Sequence, residues 1–76
     1  MTTTKTHRPN NAAARRALAA HGVQRVIVDQ GLVASDSKVG AEQQAANLDA
    51  ALAALDAAGI AYERDADCPT WLATLI

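Results

Sequence analysis

Three aspartates and one short polar loop are the residues of this chain best equipped for chemistry. Asp29 ends the apolar run VQRVIVD (residues 23 to 29), Asp65 and Asp67 follow IAYER (residues 60 to 64), and Ser35, Ser37, Lys38 and Gly40 precede a long alanine-rich segment. Clustered carboxylates suit Mg²⁺, and the free N–H groups of a helix start beside Ser37 and Lys38 suit a phosphate. Were the two apolar runs parallel strands, their C-terminal ends would share the rim on which α/β folds place ligands. The same residue types are also ordinary turn and cap formers. The loop lacks the Gly-Lys-Ser/Thr ending of a Walker motif, and 76 residues leave little wall for a pocket of the usual volume. A small metal- or phosphate-dependent enzyme is therefore only the third reading, and the expectation is no catalytic residue, no cofactor and no metal.

Neither histidine improves the case for catalysis. His7 lies in the polar start of the chain, and His21 closes a helical segment, where a cation is favoured by the helix dipole. No second histidine or cysteine stands at ligand spacing from His21. Cys68 is alone, so no disulfide forms within the chain, and it reads as a small, reduced, inert thiol in a cytoplasmic protein.

Charge is arranged asymmetrically. Residues 1 to 25 carry Lys5, Arg8, Arg15, Arg16 and Arg25 and no acid; residues 26 to 76 carry two cations and all eight carboxylates. The net charge of −1 thus hides a dipolar chain. The basic start could contact phosphates of a nucleic acid, dock on the acidic half of the protein or of a partner, or simply keep the chain soluble. Against nucleic acid stand a pI near 6.0, the lack of a helix-turn-helix signature and only two aromatics, Tyr62 and Trp71.

The elements that must position these groups follow from spacing and punctuation. Residues 1 to 9 read as a disordered arm ended by Pro9, with no apolar segment of the export type and no stretch long enough to span a membrane. Asn10 or Asn11 is placed to cap a short helix, AAARRALAAH, whose Ala14, Ala17, Leu18 and His21 share one face. Gly22 stops it and VQRVIVD reads as a strand covered on both faces. Residues 39 to 58 form the long helix, with Ala41, Ala45, Leu48, Leu52 and Leu55 as its apolar stripe, Gly59 as its stop, and IAYER as a second strand. ALAAHGV (residues 17 to 23) and ALDAAGI (residues 54 to 60) repeat the same helix, glycine, strand plan at an offset of 37 residues.

Strand, long helix, strand is a βαβ unit, so the expected fold is a small α/β (α+β) domain over residues 10 to 76: helix, strand, long helix, strand. A third strand must come from LVAS (residues 32 to 35), from the tail TWLATLI (residues 70 to 76) or from another copy, with the tail leaning to helix because Pro69 suits a first turn. Half the chain is apolar, but 19 residues are alanine, so about fifteen Leu, Ile and Val side chains must build the core. A core this thin invites self-association, and a homodimer is one form of it.

On the long helix Glu42, Asp49 and Asp56 recur every seven residues as an acidic row, while Gln43, Asn47, Ala50, Ala53, Ala54 and Ala57 make a smooth, nearly uncharged side. The reading that these features support is a non-catalytic interaction protein that binds another macromolecule, a protein first. Its partner surface is expected to be Glu42, Asp49 and Asp56, or Arg15 and Arg16. The alternative is nucleic-acid binding through Lys5, Arg8, Arg15, Arg16 and Arg25; no membrane partner is expected. Small size, charge patterning and lack of a site are shared with many inhibitors from phages and other mobile elements, anti-CRISPR proteins among them. That is a likeness of style that no residue motif carries.

Overall fold

The computed structural model describes residues 10–76. Its element order is α1 (Asn11–Ala20), β1 (Val26–Asp29), β2 (Leu32–Ser35), a 3₁₀ turn over Ser37–Val39, α2 (Ala41–Ala57), β3 (Tyr62–Arg64) and β4 (Leu72–Leu75). The small mixed α/β fold is as the sequence predicts. The expected arm of residues 1 to 9, with Lys5, His7 and Arg8, lies outside the described residues.

The four strands form one antiparallel sheet in the order β1-β2-β4-β3. Here the expected topology needs correction. The strands of VQRVIVD and IAYER are not parallel neighbours; they are the two edges of the sheet and run in opposite directions. The strand that enters α2 is β2, and β2 and β3 are parallel with β4 between them, so the βαβ unit is split. LVAS and the tail both supply strands. The tail is strand and not helix: Ala73 and Leu75 are buried on the helix side, and without β4 the strand β3 would have no neighbour and β2 would keep only β1.

The hairpin joining β1 to β2 carries a weak sequence signal. Its two-residue turn, Gln30–Gly31, has positive φ at both positions (50° and 81°), the type I′ geometry that suits the twist of paired strands. Asn or Asp ordinarily stands where Gln30 does, so the usual signal is missing. Asn11 fixes this turn: its Oδ1 accepts the Gly31 N–H at 2.9 Å. Asn10 occupies the N-cap of α1 without a side-chain cap bond, so neither asparagine caps the helix as the sequence suggested.

The repeated helix stop has a common physical form. After α1, the Gly22 N–H donates to Ala19 O and the Val23 N–H to Leu18 O; after α2, the Gly59 N–H donates to Asp56 O and the Ile60 N–H to Leu55 O. Both are Schellman closures, with the glycine in the left-handed region and the following apolar residue folded onto the core.

Both helices cover the same face of the sheet. The core comprises Ala14, Ala17 and Leu18 of α1, Leu48, Ala51, Leu52, Ala54 and Leu55 of α2, and Val28, Val33, Ala73 and Leu75 of the sheet. Leu48, Leu52 and Leu55 are the predicted stripe, whereas Ala41 is exposed and Ala45 half-buried. Ala54, assigned by sequence to the smooth outer side, is buried; that side turns partly inward where α1 packs against α2. Among the described residues no element covers the opposite sheet face, and Ile27 and Leu32 are 65% and 44% exposed. Within residues 10–76, VQRVIVD is therefore covered on one face only.

Candidate functional site

The strand directions separate the aspartates that were expected to share a rim. Asp29 lies at the β1–β2 turn, at the end of the sheet where β3 begins; Asp65, Asp67 and the Ser35-to-Gly40 loop lie at the other end. Each polar group there has a local task. The Asp65 carboxylate accepts the N–H groups of Asp67 and Cys68 at 3.0 and 2.8 Å. Asp36 accepts the Lys38 N–H at 2.9 Å and pairs with Arg25 at 3.3 Å. The Lys38 N–H first, and Arg25 after it, hold the Asp36 carboxyl below its usual range against the opposing effect of desolvation. Ser35 and Gln44 lock β2 to α2 reciprocally: Ser35 Oγ donates to Gln44 O at 2.8 Å and Gln44 Nε2 to Ser35 O at 3.0 Å. Among the described residues, no three His, Cys, Asp or Glu side chains gather to hold a metal. A shallow open depression of ≈ 570 Å³ at the start of α2 is lined by Gly40, Glu42 and Gln43, and Glu42 opposes an anion there.

The basic residues are likewise divided. Arg15 lays its guanidinium on the sheet edge: Nε and Nη2 donate to the Val28 carbonyl at 2.9 and 2.7 Å, with Asp29 at 3.7 Å. Arg25, at φ 65°, is tied to Asp36. Arg16 is exposed on α1. The structure therefore separates Arg15 from Arg16, which the sequence grouped, because one turn position of α1 faces β1 and the next faces solvent.

Glu42, Asp49 and Asp56 are all exposed on α2, and β3 reaches two of them. Arg64 Nη2 donates to Asp49 at 2.9 Å and Nη1 to the Pro69 carbonyl at 2.8 Å, and the Tyr62 hydroxyl donates to Asp56 at 3.0 Å. Burial first, and Asp56 second, raise the Tyr62 phenol above its usual range. Asp49 and Asp56 are thus engaged by β3, and among the described residues neither Arg15 nor Arg16 of α1 pairs with the row. Burial, with Asp65 and Asp67 nearby, raises the Cys68 thiol, which keeps it protonated at neutral pH.

The open sheet face is the surface that sequence reasoning did not find. Ile27, Ala34 and Leu72 stand opposite one another across three strands; the next row is Asp29, Leu32, Thr74 and Glu63. Ile76, 57% exposed, continues β4 beyond them. The apolar alternates of β1, β2 and β4 were visible in the sequence, but they mark an outer face only once both helices are known to lie on the other side.

No helix among the described residues is long and apolar enough to cross a membrane. No family model matches this chain, and neither a curated protein nor a solved structure matches it.

Proposed function

We propose that this chain is a small, non-catalytic cytoplasmic protein that acts by binding another protein through the open face of its sheet, in the manner of the inhibitors carried by phages and other mobile elements. The observation that supports it is the exposure of Ile27, Leu32 and Ile76 on one face, around the half-buried Ala34 and Leu72. Exposed contiguous apolar surface is costly in water and marks interaction sites. Asp29 and Glu63 at opposite edges of this face favour a partner segment with an apolar centre and basic flanks. Relative to the acidic row, this surface is free: Asp49 and Asp56 already have partners within the chain.

The test uses the protein as bait in cell extract, in three forms of equal helicity by circular dichroism. Capture of a protein by the wild type and by Asp49→Lys/Asp56→Lys, but not by Ile27→Asp/Leu32→Asp, is the expected result. Loss of capture only in the lysine variant returns the surface to α2. Equal capture by all three forms overturns both surfaces.

A further inference from the structure

We propose that residues 2 to 5 of this chain, which lie outside the described residues, add to the edge of β3 as a fifth, antiparallel strand, while His7 and Arg8 cross the C-terminal end of α2. The sheet has two edges, β1 and β3. On β1 the bond from the Asp36 N–H to the Arg25 carbonyl, at 2.8 Å, fixes the alternation so that the backbone groups of Val26 and Val28 point away from the sheet. The Arg15 guanidinium takes the outward Val28 carbonyl with two hydrogen bonds, a cover of the kind that keeps other strands off an edge. On β3 the Asp65 N–H donates to Leu72 O at 3.0 Å and the Ile76 N–H to Ala61 O at 3.2 Å. Ala61, Glu63 and Asp65 therefore face β4, and the N–H and C=O groups of Tyr62 and Arg64 point outward. Among the described residues no side chain covers those groups: Tyr62 reaches Asp56, and Arg64 reaches Asp49 and the Pro69 carbonyl.

The place where α1 starts points to the occupant. Asn11 Oδ1 accepts the Gly31 N–H at 2.9 Å, the Gly31 carbonyl accepts the Leu75 N–H at 2.7 Å, and Leu75 stands opposite Tyr62. The chain that precedes α1 therefore begins its course at the end of the sheet where β3 starts. From the line of β2 to a strand outside β3 is three strand spacings, about 14 Å. The five steps from Asn10 back to Lys5 span about 16 Å when extended, which leaves residues 2 to 5 to run along Tyr62–Arg64. Entering at the Tyr62 end and traced backwards, the segment lies antiparallel to β3. Tethered this close, it meets the edge at a high effective concentration, an advantage that a strand from another molecule lacks.

Charge and residue type fit both parts of this course. Residues 40 to 76 carry six carboxylates and a single cation, Arg64, whereas residues 1 to 9 carry Lys5, His7 and Arg8 and no acid. The last turn of α2 has no basic residue and holds Asp56, an arrangement that the helix dipole disfavours. His7 and Arg8, crossing there, supply the missing positive charge. At the corner where the crossing ends, Lys5 lies on the side of Asp56 if it points towards the helices and on the side of Glu63 if it points to the open face, so it meets a carboxylate in either alternation. Thr2, Thr3 and Thr4 are β-branched residues suited to an edge strand, and Pro9, which cannot donate to a ladder, falls in the crossing.

This pairing uses the edge of the sheet and not its open face, and it is independent of the reading above. The test is amide hydrogen exchange, followed by NMR, on the full chain and on two full-length variants. Thr3→Pro/Thr4→Pro removes donors from the pairing segment, and Lys5→Glu/Arg8→Glu keeps the backbone but reverses its charge. In the wild type the outward N–H groups of Tyr62 and Arg64 should be protected about tenfold or more above the outward N–H of Val28, to the same degree at every protein concentration. Both variants should bring them to the Val28 level, while the Asp65 N–H, bonded to Leu72, stays protected. Tyr62 and Arg64 exchanging as freely as Val28 in the wild type overturns the proposal. So does protection that survives in either variant, and so does protection that grows with concentration, which assigns the edge to a strand from another molecule. None of these outcomes bears on capture through Ile27 and Leu32.

Discussion

Replacing Arg15 by alanine should destabilise the domain while replacing Arg16, its neighbour on α1, should not. The Arg15 guanidinium makes two hydrogen bonds to one carbonyl, at 2.9 and 2.7 Å, and joins α1 to the edge of the sheet. Hydrogen bonds to charged groups contribute about 1.5–3 kcal/mol when buried. The Arg15 side chain is 55% exposed, and water can reach the Val28 carbonyl once the guanidinium is gone, so the expected loss is about 1–2 kcal/mol. The pair with Asp29 adds little: at 3.7 Å between two exposed groups it is worth a few tenths, roughly. In a urea titration with a slope of about 1 kcal/mol/M, Arg15→Ala should lower the midpoint by about 1–2 M. Arg16→Ala should stay within about 0.5 kcal/mol of the wild type. Arg15→Lys keeps the charge but not the paired planar donors, and should recover only part of the loss. Equal midpoints for the two alanine variants, or a fully stable lysine variant, would refute the assignment of Arg15 as an edge clamp.

Other consequences follow from the same contacts. Gln30→Asn supplies the residue that a type I′ turn favours at φ 50°, and should raise the melting temperature by a few degrees, about 0.5 kcal/mol in a domain this small. Asp36 has its folded pKa depressed by the Lys38 N–H and Arg25, so its contribution is present above the unfolded carboxyl value and is lost as pH falls through the folded one. An Asp36→Asn variant should therefore show a flatter acid limb in stability against pH, and an unchanged limb would deny Asp36 that role. Cys68, raised by burial, Asp65 and Asp67, should alkylate more slowly than a free thiol at neutral pH, and Asp67→Asn should accelerate it. Tyr62 is the chain's single tyrosine, so absorbance titration should place its ionisation above that of a free phenol, with Asp56→Asn moving it downward.

Local structure was legible wherever one short segment decides it. The leucine stripe of α2 and the two glycine stops followed from spacing alone, because a Schellman closure needs only a residue free to take positive φ and an apolar residue after it. What the sequence could not supply was strand direction. VQRVIVD and IAYER flank a helix as a parallel pair would, and only the Gln30–Gly31 turn, lacking its usual Asn or Asp, and the register of the tail against β2 and β3 reveal two edges running opposite ways. One misplaced strand moved every candidate site that depended on it. The aspartate rim separated to opposite ends of the sheet, while Tyr62 and Arg64 came under the acidic row and occupied Asp56 and Asp49. The same rearrangement uncovered the surfaces that the proposals use. In a sheet covered on both faces Ile27 would be core. In the antiparallel sheet with both helices on one side, Ile27 and Leu32 face solvent, and Arg15 lies along the β1 edge.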